Sequence, residues 1–147
     1  LDHVWNLVVW NRAQAALFPV VEATTPPPNL LRLTLETGAL RAFMTDWADE
    51  VDRLTQQFRL HLTQHPNDHG RELARELRTA HPEFAASWER HDVTSLASQV
   101  RRFRHRELGA LDFDHHRLAL PDHPGWLAVI YTPVPGSGTA ERFARLR

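Results

Sequence analysis

The sequence predicts an α+β domain in which a block of helices packs on an antiparallel sheet. Three observations carry that expectation. Apolar residues recur at helical spacing through the long middle of the chain, as in Trp47, Val51, Leu54, Phe58 and Leu62. After Val93 the period shortens to two, with Leu111 and Phe113 on one face and Asp112 and Asp114 on the other. The 147 residues include no cysteine, so one hydrophobic core, not a disulfide framework, must hold the chain together.

The elements follow in order. Val4 to Trp10 is apolar or β-prone apart from Asn6 and reads as a strand covered on both faces. Asn11 caps a short helix carrying Ala13, Ala16, Leu17 and Phe18. Thr24 to Pro28 is a stiff connector, too short to separate two domains. Asn29 to Leu35 forms a turn or two of buried helix, and Gly38 separates it from another helix over Ala39 to Met44. Thr45 or Asp46 caps the longest helix, which ends at His65-Pro66-Asn67-Asp68. Leu73, Ala74 and Leu77 mark the next helix, and His81 to Val93 makes a further one with Pro82 at its first position. Thr94 to Ser98 is a polar loop. Arg101 to His105 is an outer strand, and Gly109 to His115 a half-solvated one. A turn at Pro121 to Gly125 leads into Trp126 to Tyr131, whose continuous apolar character implies a central strand. Thr139 to Leu146 is a terminal helix.

Composition excludes several functions. Lysine and arginine together number 17 against 18 acidic residues, a net charge of −1, which opposes electrostatic capture of nucleic acid by the chain as a whole. All the basic side chains are arginine, which with the abundant alanine and proline fits a GC-rich bacterial gene. No apolar run approaches the ~20 residues of a membrane span, and no signal-like segment opens the chain. A cytoplasmic domain with no membrane partner is expected. Because it begins abruptly at Leu1-Asp2, it reads as part of a longer protein.

The segment from His81 to Val93 is the most informative. Phe84, Trp88 and His91 recur at i, i+4 and i+7, giving an aromatic face with one polar tip. Such a face suits a pocket wall that packs an apolar ligand and offers it one hydrogen bond, and it equally suits an ordinary core. His91 is a polar pocket residue on the first reading. On the second it holds the helix end, oriented by Asp92. The stripe Trp47, Val51, Leu54 and Phe58 is core on either reading, with some members facing ligand if a cavity exists.

Arg101, Arg102, Arg104 and Arg106 form the basic run. It reads as a solvated edge strand whose charges discourage aggregation, or else Arg102 or Arg104 turns inward to pair with a ligand carboxylate. His61 and His65 have the spacing of a helical metal pair, with His69 nearby, but no carboxylate completes a motif. Asp114-His115-His116 is comparably weak, and no metal is expected. Ser137 lies in a glycine-rich turn without a nucleophile elbow, and no lysine is present for a phosphate loop. No catalytic residue, cofactor or enzymatic activity is expected.

The chain also resembles a known family, the MmyB-like transcription regulator ligand-binding domain of bacterial Xre-type regulators. The matching elements are Trp10-Asn11 with Ala13, Ala16, Leu17 and Phe18; Asn29-Leu30-Leu31-Arg32; and Pro82-Glu83-Phe84 with Trp88, His91, Asp92 and Val93. Arg102, Arg104-His105, Gly109, Leu118, Leu120-Pro121-Asp122, Pro124-Gly125, Tyr131-Thr132 and Pro135-Gly136-Ser137 follow in order. The resemblance spans essentially the whole sequence. It implies a PAS-like fold over residues 1–147, with a curved antiparallel sheet and helices enclosing an apolar cavity. It further implies a parent protein whose N-terminal helix-turn-helix domain binds DNA, and a fatty-acid-like ligand. Three departures accompany it. The helix-turn-helix is absent from this sequence, as is an apolar strand the family usually has just before Leu1, and Arg106 stands where the family often has proline.

The expected function is therefore that of a sensor. An apolar small molecule, contacted by Trp47, Leu54, Phe58, Phe84, Trp88, His91 and Arg102, biases an attached DNA-binding domain within a homodimer. The rival is an interaction module of the same fold, with a filled cavity and a sheet face or terminal helix that dimerises.

Overall fold

The computed structural model describes residues 1–25, 27–90 and 100–146. Helices α1 (Arg12–Leu17), α2 (Val20–Ala23), α3 (Leu30–Glu36), α4 (Gly38–Phe43), α5 (Trp47–Gln64), α6 (Asp68–Ala80) and α7 (Pro82–Glu89) precede strands β1 (Val100–His105), β2 (Gly109–Ala119) and β3 (Leu127–Pro133). Helix α8 (Thr139–Phe143) and a 3-10 turn over Ala144–Leu146 close the chain. The strands form an antiparallel sheet in the order β1-β2-β3. This is the expected α+β architecture. Among the described residues, no helix is long and apolar enough to cross a membrane.

Helix starts follow side-chain chemistry. The side chain of Asn11 accepts from the backbone N–H of Gln14, that of Asn29 from Leu31 and Arg32, and that of Asn67 from Gly70. The start of α5 differs, because Asp46 makes no capping bond there, and Asp49 and Glu50 in the first turn favour it through the helix dipole instead. Pro82 opens α7 as expected, but the helix stops at Glu89 and Arg90 is extended. The expected continuation to Val93 therefore fails at Arg90. His91 and the expected Thr94–Ser98 loop lie outside the described residues.

Two strand expectations need correction. Val4 to Trp10 is not a strand. The Asp2 carboxylate accepts from the backbone N–H groups of Val4 and Asn6, both at 2.9 Å, and the Asn29 side-chain amide donates to the Val4 carbonyl. These bonds take up backbone groups that a sheet would use, leaving a single bridge between Asn6 and Asn29. The resulting turn drives Trp5 to a φ of 67°, a conformation that its complete burial holds in place. The second correction concerns Leu127–Pro133, which lies at the sheet edge, while β2 is central.

Two apolar clusters fill the molecule. On the helical side Trp5, Leu31, Leu54, Phe58, Leu73, Ala74, Leu77 and Phe84 interlock between α3, α5, α6 and α7. On the sheet side Leu17, Phe18, Val21, Leu33 and Leu40 meet Phe103, Leu111, Phe113 and Phe143. Helix α8 is tied to β2 by the Thr139 hydroxyl, which accepts from the Asp112 N–H at 2.9 Å, and by the edge of Phe143 against Phe113.

Candidate functional site

Strand alternation decides what β1, β2 and β3 present to the helices. On β1 the inward residues are Arg101 and Phe103, and on β2 they are Leu111, Phe113 and His115, all buried. Helices α1, α3 and α4 approach this face without filling it. A cavity of about 570 Å³ remains, within the range of small-molecule sites. Its helical wall includes Leu17, Leu33, Thr34, Leu40 and Leu54, and its sheet wall Phe103, Phe113, His115 and the run from Leu127 to Tyr131. Leu7, Val8, Val9 and Trp10 border it on a third side. Val8 is 50% and Val9 84% exposed, so this segment forms a rim open to solvent. The apolar character of β3, read from sequence as the mark of a central strand, belongs to a strand that lines the cavity.

A group of ionisable side chains borders the cavity. Glu50 on α5 and His115 on β2 line it. The Glu50 carboxylate takes Arg53 at 2.8 Å and the buried Arg101 at 3.3 Å. The His115 ring meets the edge of Tyr131, with centroids 5.0 Å apart. Burial, reinforced by Arg101, Arg117 and Arg53, pushes the His115 ring down to about 3, so it is neutral at ordinary pH. Burial also drives the Tyr131 phenol upward, with Glu50 adding to the effect. Arg117, two residues beyond His115, lies over the Trp5 ring at 4.4 Å.

The residues singled out from sequence are distributed as follows. Leu54 lines the cavity and also belongs to the helical cluster. Phe58 and Phe84 are fully buried in that cluster, and Trp88 packs against Phe84 at 5.6 Å. Trp47 sits one layer behind the cavity wall, its indole N–H donating to the Thr34 carbonyl at 2.9 Å while Arg41 covers its ring. Arg102 is exposed, and the arginine of the basic run that turns inward is Arg101. His91 lies outside the described residues. His61 is bonded to the carbonyl of His3 at 3.0 Å, and among the described residues no group of three His, Cys, Asp or Glu side chains is placed to hold a metal ion.

Sequence reading missed this ionisable group. The signal was present, because extending the alternation of Leu111 and Phe113 by four residues turns His115 and Arg117 inward. Reading the strand as ended at His115 left Arg117 out.

No curated protein matches the chain. A family model does match, over residues 1–146, and it describes the ligand-binding domain of MmyB-like transcription regulators. An antiparallel sheet and a helical block around an apolar cavity are consistent with such a role. The chain belongs to the MmyB-like transcription regulator ligand binding domain family.

Proposed function

We propose that the domain senses a fatty-acid-like molecule and that its occupancy biases a DNA-binding helix-turn-helix domain in the parent regulator. The observation that carries this reading is the cavity of about 570 Å³ between helices and sheet, with a largely apolar lining that includes Glu50 and His115. Burying about ten methylenes at ~0.8 kcal/mol each gives ~8 kcal/mol before ordering costs, enough for micromolar binding. Leu54 contacts the chain of the ligand directly, and Phe58, Phe84, Trp88 and Trp47 stiffen the wall from behind. A ligand that prefers one of two conformations shifts the parent's DNA affinity by the coupling energy, typically ~1–3 kcal/mol.

Native mass spectrometry of the purified domain, with organic extraction of the denatured protein, tests this. A bound long-chain molecule, or saturable quenching of tryptophan emission by added dodecanoic acid, is the expected result. Empty extracts with no saturable titration overturn it in favour of a homodimerising interaction module. One observation favours that second reading: Leu118 and Ile130 are large apolar side chains left exposed on adjacent strands.

A further inference from the structure

We infer that the cavity takes an amphipathic ligand whose head is uncharged, of the long-chain alcohol class, and that His115 and Tyr131 are the residues that hydrogen-bond that head. The inference rests on the ligand-sensing reading and adds to it a head-group class and two specificity-determining residues.

The lining disfavours charge of either sign. Of the 17 basic side chains in the sequence, none among the described residues lines the cavity, and the charged side chain that does is the acid Glu50. An ionised head brought into this space would therefore meet a carboxylate and no guanidinium. A buried charge without a partner is costly. The Leu1 amino group does not alter this, because it donates to the Leu127 carbonyl at 2.8 Å and burial holds it below its ordinary range. A cationic head fares no better. Glu50 already holds Arg53 at 2.8 Å and Arg101 at 3.3 Å, and burial with the field of Arg101, Arg117 and Arg53 keeps the neighbouring His115 ring neutral, pushed down to about 3.

His115 and Tyr131 supply what a neutral polar head needs. They stand opposite one another in the register of β2 and β3, their ring centroids are 5.0 Å apart, and both line the cavity. Among the described residues, neither the His115 ring nitrogens nor the Tyr131 hydroxyl has a hydrogen-bond partner. The partnerless polar atoms that are sealed from solvent belong to other side chains, so these groups keep open surface on a cavity that both residues line. Neutral imidazole carries one donor and one acceptor nitrogen, and burial keeps the Tyr131 phenol protonated and able to donate. A hydroxyl head accepts from Tyr131 and donates to His115 at once, whereas a carboxylate only accepts and leaves the acceptor nitrogen unused. The tail lies among Leu17, Leu33, Leu40 and Phe103 of the same lining.

The test uses dodecanol and dodecanoic acid, which share a tail and differ in charge, titrated into the whole chain and read by quenching of Trp10 and Trp126 in the lining. At about pH 8, where the free acid is ionised, the alcohol is expected to bind about tenfold tighter or more. As pH falls toward about 5 the affinity for the acid should rise, by up to about tenfold per unit, while that for the alcohol stays within about twofold. Tyr131→Phe and His115→Phe each remove one hydrogen bond to the head at little change in shape, and each should weaken dodecanol about threefold or more. Should a variant fail to fold, the pH dependence of the unaltered protein decides. Acid bound as tightly as alcohol at about pH 8, or an acid affinity that does not rise on acidification, overturns the uncharged head while leaving the sensor reading standing. Full dodecanol affinity in both variants overturns the roles of His115 and Tyr131. Binding of neither probe at either pH overturns this inference and the sensor reading together.

Discussion

Trp5, Phe58, Leu77 and Phe84 on the helical side have no exposed surface and interlock directly, whereas Phe18, Phe103, Phe113 and Phe143 on the sheet side wrap a cavity. Both clusters are aromatic-rich and well buried, so composition does not distinguish them. Geometry does. The helical cluster joins α5, α6 and α7, whose side chains pack along full-length helices, and Trp5 fills the remaining space with its edge against Phe58 at 5.1 Å. On the sheet side short helices of six or seven residues face a sheet, and a short helix covers too little of a strand pair to fill the space above it. One region is a scaffold and the other a container.

The largest expected effect breaks the scaffold. Phe58→Ala removes a fully buried ring whose edge-on partner is Trp5, and it should cost ~3–5 kcal/mol in urea unfolding. Affinity for dodecanoic acid in the folded fraction should change little. A loss of affinity with stability unchanged would show that Phe58 faces ligand, which would dissolve the division between the regions.

Acid sharpens the comparison, because each region holds one buried histidine. Both rings are depressed mainly by burial, His61 on the scaffold side while bonded to the His3 carbonyl, and His115 at the cavity. The charges that act on His115 are Arg101 on β1, Arg117 and the adjacent, outward-facing His116 on β2 and Arg53 on α5, and the edge of Tyr131 on β3 packs against the ring. In the unfolded chain His115 takes up a proton near 6.5, but in the fold only near 3, so between these values the unfolded state carries the extra proton. Stability contributed by neutral His115 is thus full above 6.5 and lost as pH falls toward 3. The slope is up to about 1.4 kcal/mol per pH unit. Urea midpoints across this window should show a shallower slope in His115→Gln than in the parent, and an unaltered slope would show that the ring is hydrated.

Sequence made the scaffold more legible than the container. The spacing of Val51, Leu54 and Phe58 in one helix, and of Leu73, Ala74 and Leu77 in the next, reports a buried face directly. Alternation at Leu111 to Asp114 reports a strand in the same way. A cavity leaves no such periodic mark, since an apolar side chain facing ligand and one facing protein are the same letter. Val4 to Trp10 misled for a related reason. Apolar content signals burial, while the strand itself depended on where the backbone N–H groups went, and Asp2 intercepted two of them. Arg117 was hidden because arginine at the end of a strand ordinarily marks solvent.

Added bulk separates the two regions by a smaller effect. Ala74→Leu inserts methylenes between α6 and its neighbours, and should cost the ~1–3 kcal/mol typical of overpacking without altering ligand binding. Val129→Trp adds more volume but into the cavity, between Leu127 and Tyr131 on the lining run. It should cost less stability than Ala74→Leu while abolishing dodecanoic acid binding. The opposite ranking in paired unfolding and titration measurements would show that the sheet side is as tightly filled as the helical side.

The smallest effect tests the boundary itself. Arg41 lies 4.1 Å from the Trp47 ring centroid, and the indole N–H holds the carbonyl of Thr34, whose residue lines the cavity. Trp47 thus supports the container from outside. Because Arg41 is exposed, its contact with the ring is worth only ~0.5–1 kcal/mol, and Arg41→Gln should lower stability by no more than that. The hydrogen bond to Thr34 fixes the indole without the arginine, so the wall should hold its position and ligand affinity should stay within about twofold. A larger fall in affinity at nearly unchanged stability would place Trp47 among the groups that shape the cavity, and the wall between helix α3 and helix α5 would then belong to the container.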